Sequence, residues 1–166
     1  MTVKSANHIY RRPTKGTSLT GGKEMGLVYA EIELLNGDDL TLSRHGYLPE
    51  DKIRRIISKV LVDSGALDLV ITEELQKQLD LPVLGKRTVN LANEILLQVD
   101  IVGPVEIHFK NRSTTVRALV LPGAAEVLLG AIPMEGLDVV VDPARERLIV
   151  NPESPDIPMS KVKRAA

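Results

Sequence analysis

Asp63-Ser64-Gly65-Ala66 follows directly on the apolar run Val60-Leu61-Val62. A strand of that composition delivers one carboxylate into a tight turn, with a hydroxyl and a glycine beside it. Asp, Ser and Gly are common in turns because they bond their own backbone and tolerate unusual dihedrals, so the triplet takes its meaning from context. A second apolar strand, Leu67 to Ile71, follows at once, and Val127-Leu128-Leu129-Gly130 lies much further along. Such a turn can hold an aspartate rigidly at the floor of a cleft. Cleavage of a peptide bond by carboxylates needs two of them, one to take a proton and one to give one. The motif occurs once in 166 residues. The second carboxylate would therefore come from another copy of the chain, giving a homodimer with one Asp63 from each subunit.

Other chemistries lack their residues. With no cysteine, disulfides, thiolate metal sites and a cysteine nucleophile are excluded. His8, His45 and His108 show no ligand spacing, so no metal and no cofactor are expected. Ser64 is not set in a Gly-x-Ser-x-Gly elbow. Gly21-Gly22-Lys23 lacks the preceding strand and the spacing of a phosphate-binding loop. The paired acids Asp38-Asp39 and Glu73-Glu74 read as a turn and a helix start. A net charge of -1 argues against a nucleic-acid partner. No apolar run is long enough to span a bilayer, and the N-terminus carries no signal-like apolar stretch, so no membrane partner and a cytoplasmic location are expected.

The elements that must position Asp63 are mostly strands. Apolar residues make up 43% and aromatics only 2%, so the core is built from Val, Leu and Ile, which favours strands. Residues 1–24 read as a solvated arm, with Arg11, Arg12 and Lys15 and no apolar period. From Leu27 the pattern alternates, with Val28, Ala30, Ile32 and Leu34 on one face. Asn36-Gly37-Asp38-Asp39 reads as the turn that ends this strand, and Pro49-Glu50-Asp51 as a short helical turn. Ile56 to Val62 is the strand that runs into Asp63. Thr72 caps a helix of about two turns that opens with Glu73-Glu74, carries Leu75 and Leu79 on its apolar stripe, and stops at Asp80-Leu81-Pro82. Arg87–Leu91 and Ile95–Ile101 form a hairpin with Ala92-Asn93-Glu94 at its tip. Val105–Phe109 and Thr114–Leu121 form another, and Leu137–Val141 with Arg147–Val150 a third. Ile132 to Gly136 is a short connection with helical character. Residues 153–166 read as a tail. The sum is an all-β fold with one clear short helix, closed like a barrel.

On these residues the chain resembles the retropepsin-like aspartic proteases, and among them the small single-domain proteases of bacteria and archaea. The matching segments are Val62 to Ala66, the helix Glu73–Leu79, Val105 to Phe109, Ala118 to Gly123, Leu128 to Glu135 and Val140 to Pro143. They fall in the family's order and span roughly Met25 to Pro152, the expected domain being 25–152. The resemblance implies an acid-protease barrel and aspartic endopeptidase activity on peptides or proteins. Asp63 would be catalytic. Ser64 would bond across the dimer to the opposite loop, and Gly65 and Ala66 would complete that loop. Leu128-Leu129-Gly130 would pack beneath it, and Ala92-Asn93-Glu94 would be the flap tip closing over a bound peptide. Two differences stand out. Leu67 and Ala131 occupy positions where retroviral relatives often place an acid and an arginine, and the flap tip lacks glycine, leaving Asn93 to adopt the left-handed turn. The competing reading is a catalytically silent module of the same fold that binds peptides or dimerises.

Overall fold

The computed structural model describes residues 26–164. The expected arm, residues 1–24, lies outside the described residues.

Among the described residues, nine strands and three short helices follow one another. β1 (Val28–Asn36) leads into α1 (Gly37–Arg44) and a 3-10 turn at Glu50–Lys52. β2 (Arg55–Val62), β3 (Leu69–Ile71) and α2 (Glu73–Leu79) come next, then the long hairpin of β4 (Val83–Asn90) and β5 (Leu96–Phe109). β6 (Arg112–Val120), β7 (Val127–Leu129), α3 (Ala131–Leu137), β8 (Val139–Asp142) and β9 (Arg147–Val150) complete the fold. The strands pair in the order β1-β2-β7-β3-β6-β5, and β1 pairs again with β5, closing a six-stranded mixed barrel. β4 extends outward from β5, and β8 and β9 form a separate two-stranded ribbon. A mostly-β closed barrel is thus the fold class observed.

Closure buries one face of the barrel strands. Ile32, Leu34, Val60, Leu69, Ile71, Val102, Ile107, Ala118 and Leu129 meet in the core, each almost wholly inaccessible. Removing a leucine or isoleucine from such a core costs roughly 2–5 kcal/mol. The expected alternation of β1 holds: Val28, Ile32 and Leu34 are buried, and Ala30 packs on the core.

Four segments differ from the sequence reading. Asn36-Gly37-Asp38-Asp39 begins α1 rather than a simple turn. The Asn36 side chain caps it by accepting from the Asp39 amide at 3.0 Å and donates to the Leu79 carbonyl at 2.9 Å. Buried Asp39 accepts from Arg54 Nε at 2.8 Å and Nη2 at 2.7 Å, and Arg54 Nη1 reaches Asp80 at 2.6 Å. The Arg54 guanidinium holds the Asp39 carboxyl below its usual range. Second, 132–136 lies within α3, a full helix. Its Pro133 falls in the first turn, where an amide would have no intrahelical acceptor. Third, 95–101 and 105–109 are one strand, β5, which passes Gly103-Pro104 through a register shift between Val102 and Val105. Fourth, the C-terminal segment is held to the barrel as far as Met159. The Asp138 carboxylate accepts from Asn151 Nδ2 at 2.9 Å, the Met159 amide at 2.8 Å and the Ser154 hydroxyl at 2.5 Å. Asn111 Nδ2 and buried Arg112 donate to the carbonyls of Pro155 and Ser154.

Candidate active site

β2 and β3 are consecutive in sequence but not adjacent in the sheet. β7 lies between them, parallel to β2 with Val62 opposite Leu129, and antiparallel to β3 with Leu69 opposite Leu129. The loop joining β2 to β3 must therefore cross the end of β7, and Asp63 is its first residue. The threaded strand explains why 127–129 is wholly apolar: it is buried on both faces, flanked on both sides.

The loop is braced by backbone hydrogen bonds. The Asp63 amide donates to the Leu129 carbonyl at 3.0 Å, and the Ala66 amide to the Asp63 carbonyl at 3.2 Å. Past Gly130, the amides of Ala131 and Ile132 donate to the carbonyls of Ala66 and Leu67 at 2.8 and 2.9 Å. These backbone bonds join the two segments at Leu67 and Ala131, where no charged pair can form. Gly130 runs so close to the loop that an added Cβ would lie 2.3 Å from the Asp68 carbonyl oxygen and 2.7 Å from that of Leu67. Gly130 and the Leu129 carbonyl thus lie against the Asp63 loop.

Asp63 is half-buried. Its Oδ1 accepts from the Gly65 amide at 2.9 Å, which fixes the carboxylate relative to its own turn. Among the described residues it has no salt-bridge partner. Ser64 and Gly65 are exposed, and the Ser64 hydroxyl makes no hydrogen bond within the described chain. Beside Asp63 opens a cleft of about 180 Å³ lined by Leu27, Leu61, Val62, Val70, Leu121, Ala124, Ala125, Glu126 and Leu128. The arrangement offers a fixed carboxylate at the mouth of an apolar cavity, where polar interactions are strengthened by low dielectric.

The hairpin tip is tied to the same cleft. Leu91, Val89 and Leu97 belong to a hydrophobic cluster that also contains Val70, Leu121 and Ala124. Ala92, Asn93 and Glu94 form a three-residue loop closed by Leu91 N to Ile95 O at 3.0 Å and Glu94 N to Leu91 O at 2.8 Å. The left-handed residue is Glu94, with φ 63, not Asn93. In this loop type the residue after the turn takes that conformation, while the Asn93 side chain accepts from the Ile95 amide at 3.3 Å.

The sequence reading did not single out Asp68, Arg87, Leu27 or Glu126. Arg87 of β4 meets Asp68 at 3.3 Å, linking the outer strand of the hairpin to the Asp63 loop. Asp68 lies five residues after Asp63, and that spacing was the available signal. Leu27 and Glu126 reach the cleft through the pairing of β1 and β7 with β2. No group of three His, Cys, Asp or Glu residues able to hold a metal occurs among the described residues, and none of their helices is long and apolar enough to cross a membrane.

No protein-family model and no curated protein matches the chain. Among solved structures it is similar to the retroviral protease-like domain of Ddi1 from Leishmania major, at 12% identity and a TM-score of 0.49, over 78% of this chain and 91% of that one. The site is therefore read from its own geometry.

Proposed function

We propose that the chain is an aspartic endopeptidase of the retropepsin-like kind, active as a homodimer in which each subunit contributes one Asp63. The observation that carries this reading is the fixed carboxylate of Asp63, without an ion-pair partner among the described residues, on a loop clamped by Gly130 beside an apolar cleft. A barrel needs no carboxylate in that place for its stability, because removing one from water is costly.

Ser64 is exposed and, among the described residues, its hydroxyl has no partner, which suits a bond to the opposite loop. Leu67 and Ile132 beside it are 65% and 50% exposed, an apolar rim suited to burial against a second copy. Two carboxylates in close proximity cannot both ionise, so the pair holds one proton. Water between them attacks the peptide carbonyl carbon and gives a proton to the ionised carboxylate. The protonated partner gives its proton to the developing oxyanion, forming a tetrahedral diol. Collapse of the diol breaks the C–N bond, with one proton passing to the leaving nitrogen. Ala92, Asn93 and Glu94 close over the peptide.

The test is cleavage of a diverse peptide mixture between about pH 4 and pH 7 by wild type and Asp63→Asn. Cuts made by wild type and absent in the folded variant support the proposal. Equal cuts by both proteins would refute it, and binding without cleavage by wild type would assign the chain to the silent peptide-binding class.

A further inference from the structure

The cleft beside Asp63 is apolar except at one edge. Among the described residues, Glu126 is its one ionisable lining residue besides Asp63, and Leu61, Val70 and Leu128 supply its apolar wall. Glu126 is half-buried and oriented: its Oε1 accepts from the Tyr29 hydroxyl at 2.7 Å. It forms no ion pair among the described residues. Lys59, which shares a neighbouring cavity with it, stands over the Tyr29 ring at 4.6 Å. Glu126 immediately precedes β7, and the Asp63 amide is bound to the carbonyl of Leu129 three residues on. The two acids are thus separated by about 10 Å of extended backbone.

An apolar wall ending in a fixed carboxylate is complementary to a side chain with a hydrocarbon stem and a cationic head. We infer that this cleft takes a lysine or arginine side chain of the bound peptide, with the methylenes along Leu61, Val70 and Leu128 and the charge at Glu126. The inference rests on the protease reading for its substrate and names the specificity of that same site. The apolar wall shields the ion pair from water, so the contact is worth more than an exposed one.

A peptide series differing only at the residue beside the cut, with Arg, Lys, Leu or Glu, tests it by kcat/KM for wild type, Glu126→Gln and Tyr29→Phe, with circular dichroism confirming the fold. In parallel, fluorescence anisotropy measures binding of the same peptides to Asp63→Asn. Wild type is expected to favour Arg and Lys over Leu by about tenfold to a hundredfold. Glu126→Gln should bring the Arg-to-Leu ratio close to one, and Tyr29→Phe should lower it partway. Cleavage with no basic preference, or with a preference that survives Glu126→Gln, would overturn the inference and leave the protease reading standing. A basic preference in binding with no cleavage by wild type would do the reverse. Neither binding nor cleavage of any peptide would overturn both.

Discussion

Gly130→Ala isolates the contact between β7 and the Asp63 loop. Gly130 has φ -85 and ψ -175, a conformation open to any residue. On backbone grounds alone the substitution would stabilise by about 0.4–1 kcal/mol through the unfolded chain. The added Cβ, however, would stand 2.3 Å from the Asp68 oxygen and 2.7 Å from the Leu67 carbonyl carbon and oxygen. All three atoms are backbone, so relief requires the loop to move by roughly 1 Å. Overpacking of that kind costs about 1–3 kcal/mol, or a drop of several degrees in Tm for a domain of this size. A displacement of about 1 Å at a catalytic group can cost on the order of a hundredfold in rate. The assay pairs urea denaturation with peptide cleavage and uses Gly85→Ala as control, since a Cβ there meets nothing within 4 Å. Gly130→Ala is expected to lose both stability and most activity, while Gly85→Ala stays within about 0.5 kcal/mol of wild type. Wild-type stability and activity in Gly130→Ala would refute the clamp.

Glu94→Gly at the hairpin tip relieves a left-handed residue with φ 63 and should raise stability by about 0.5–1 kcal/mol in denaturant titration. Asp138→Asn should destabilise the C-terminal segment in a pH-dependent way. Hydrogen bonds from Ser154, Asn151 and the Met159 amide hold the Asp138 pKa at about 2, below its unfolded value, so its stabilisation is present in full above about pH 4. The gap between wild type and variant should close as pH falls toward 2, read by thermal unfolding at stepped pH. Asp39→Ala removes the acceptor of Arg54 Nε and Nη2 and leaves the bond to Asp80. It should cost about 2 kcal/mol, the exposure of Arg54 limiting the loss, and increase amide exchange in α1.

The sequence made the Asp63 strand legible because an apolar run ending in Asp-Ser-Gly is a local pattern. The Thr72 cap was legible for the same reason: Thr72 Oγ1 accepts from the Leu75 amide at 3.1 Å. What depends on distant partners was not. α1 opens on the poor helix formers Gly37, Asp38 and Asp39, and it is held where Asn36 and Asp39 find Leu79 and Arg54. The early part of β4 shows no alternation, since an outer strand paired on one side leaves Val83 and Leu84 about half exposed. Gly103-Pro104 reads as a break, yet β5 continues through it by carrying one extra residue against β6 as a bulge. At the site, Asp63 and Leu128-Leu129-Gly130 carried a motif. Glu126 and Leu27 carried none, because only the pairing of β1 and the distant β7 with β2 brings them beside Asp63.

The most direct test of the central claim is activity in mixed dimers. Wild type and Asp63→Asn are unfolded together in equal amounts, refolded, and compared with wild type at the same total concentration. If each site needs two Asp63 carboxylates, random pairing should leave about a quarter of the activity. A value near one half would mean that each chain cuts alone and would contradict the account.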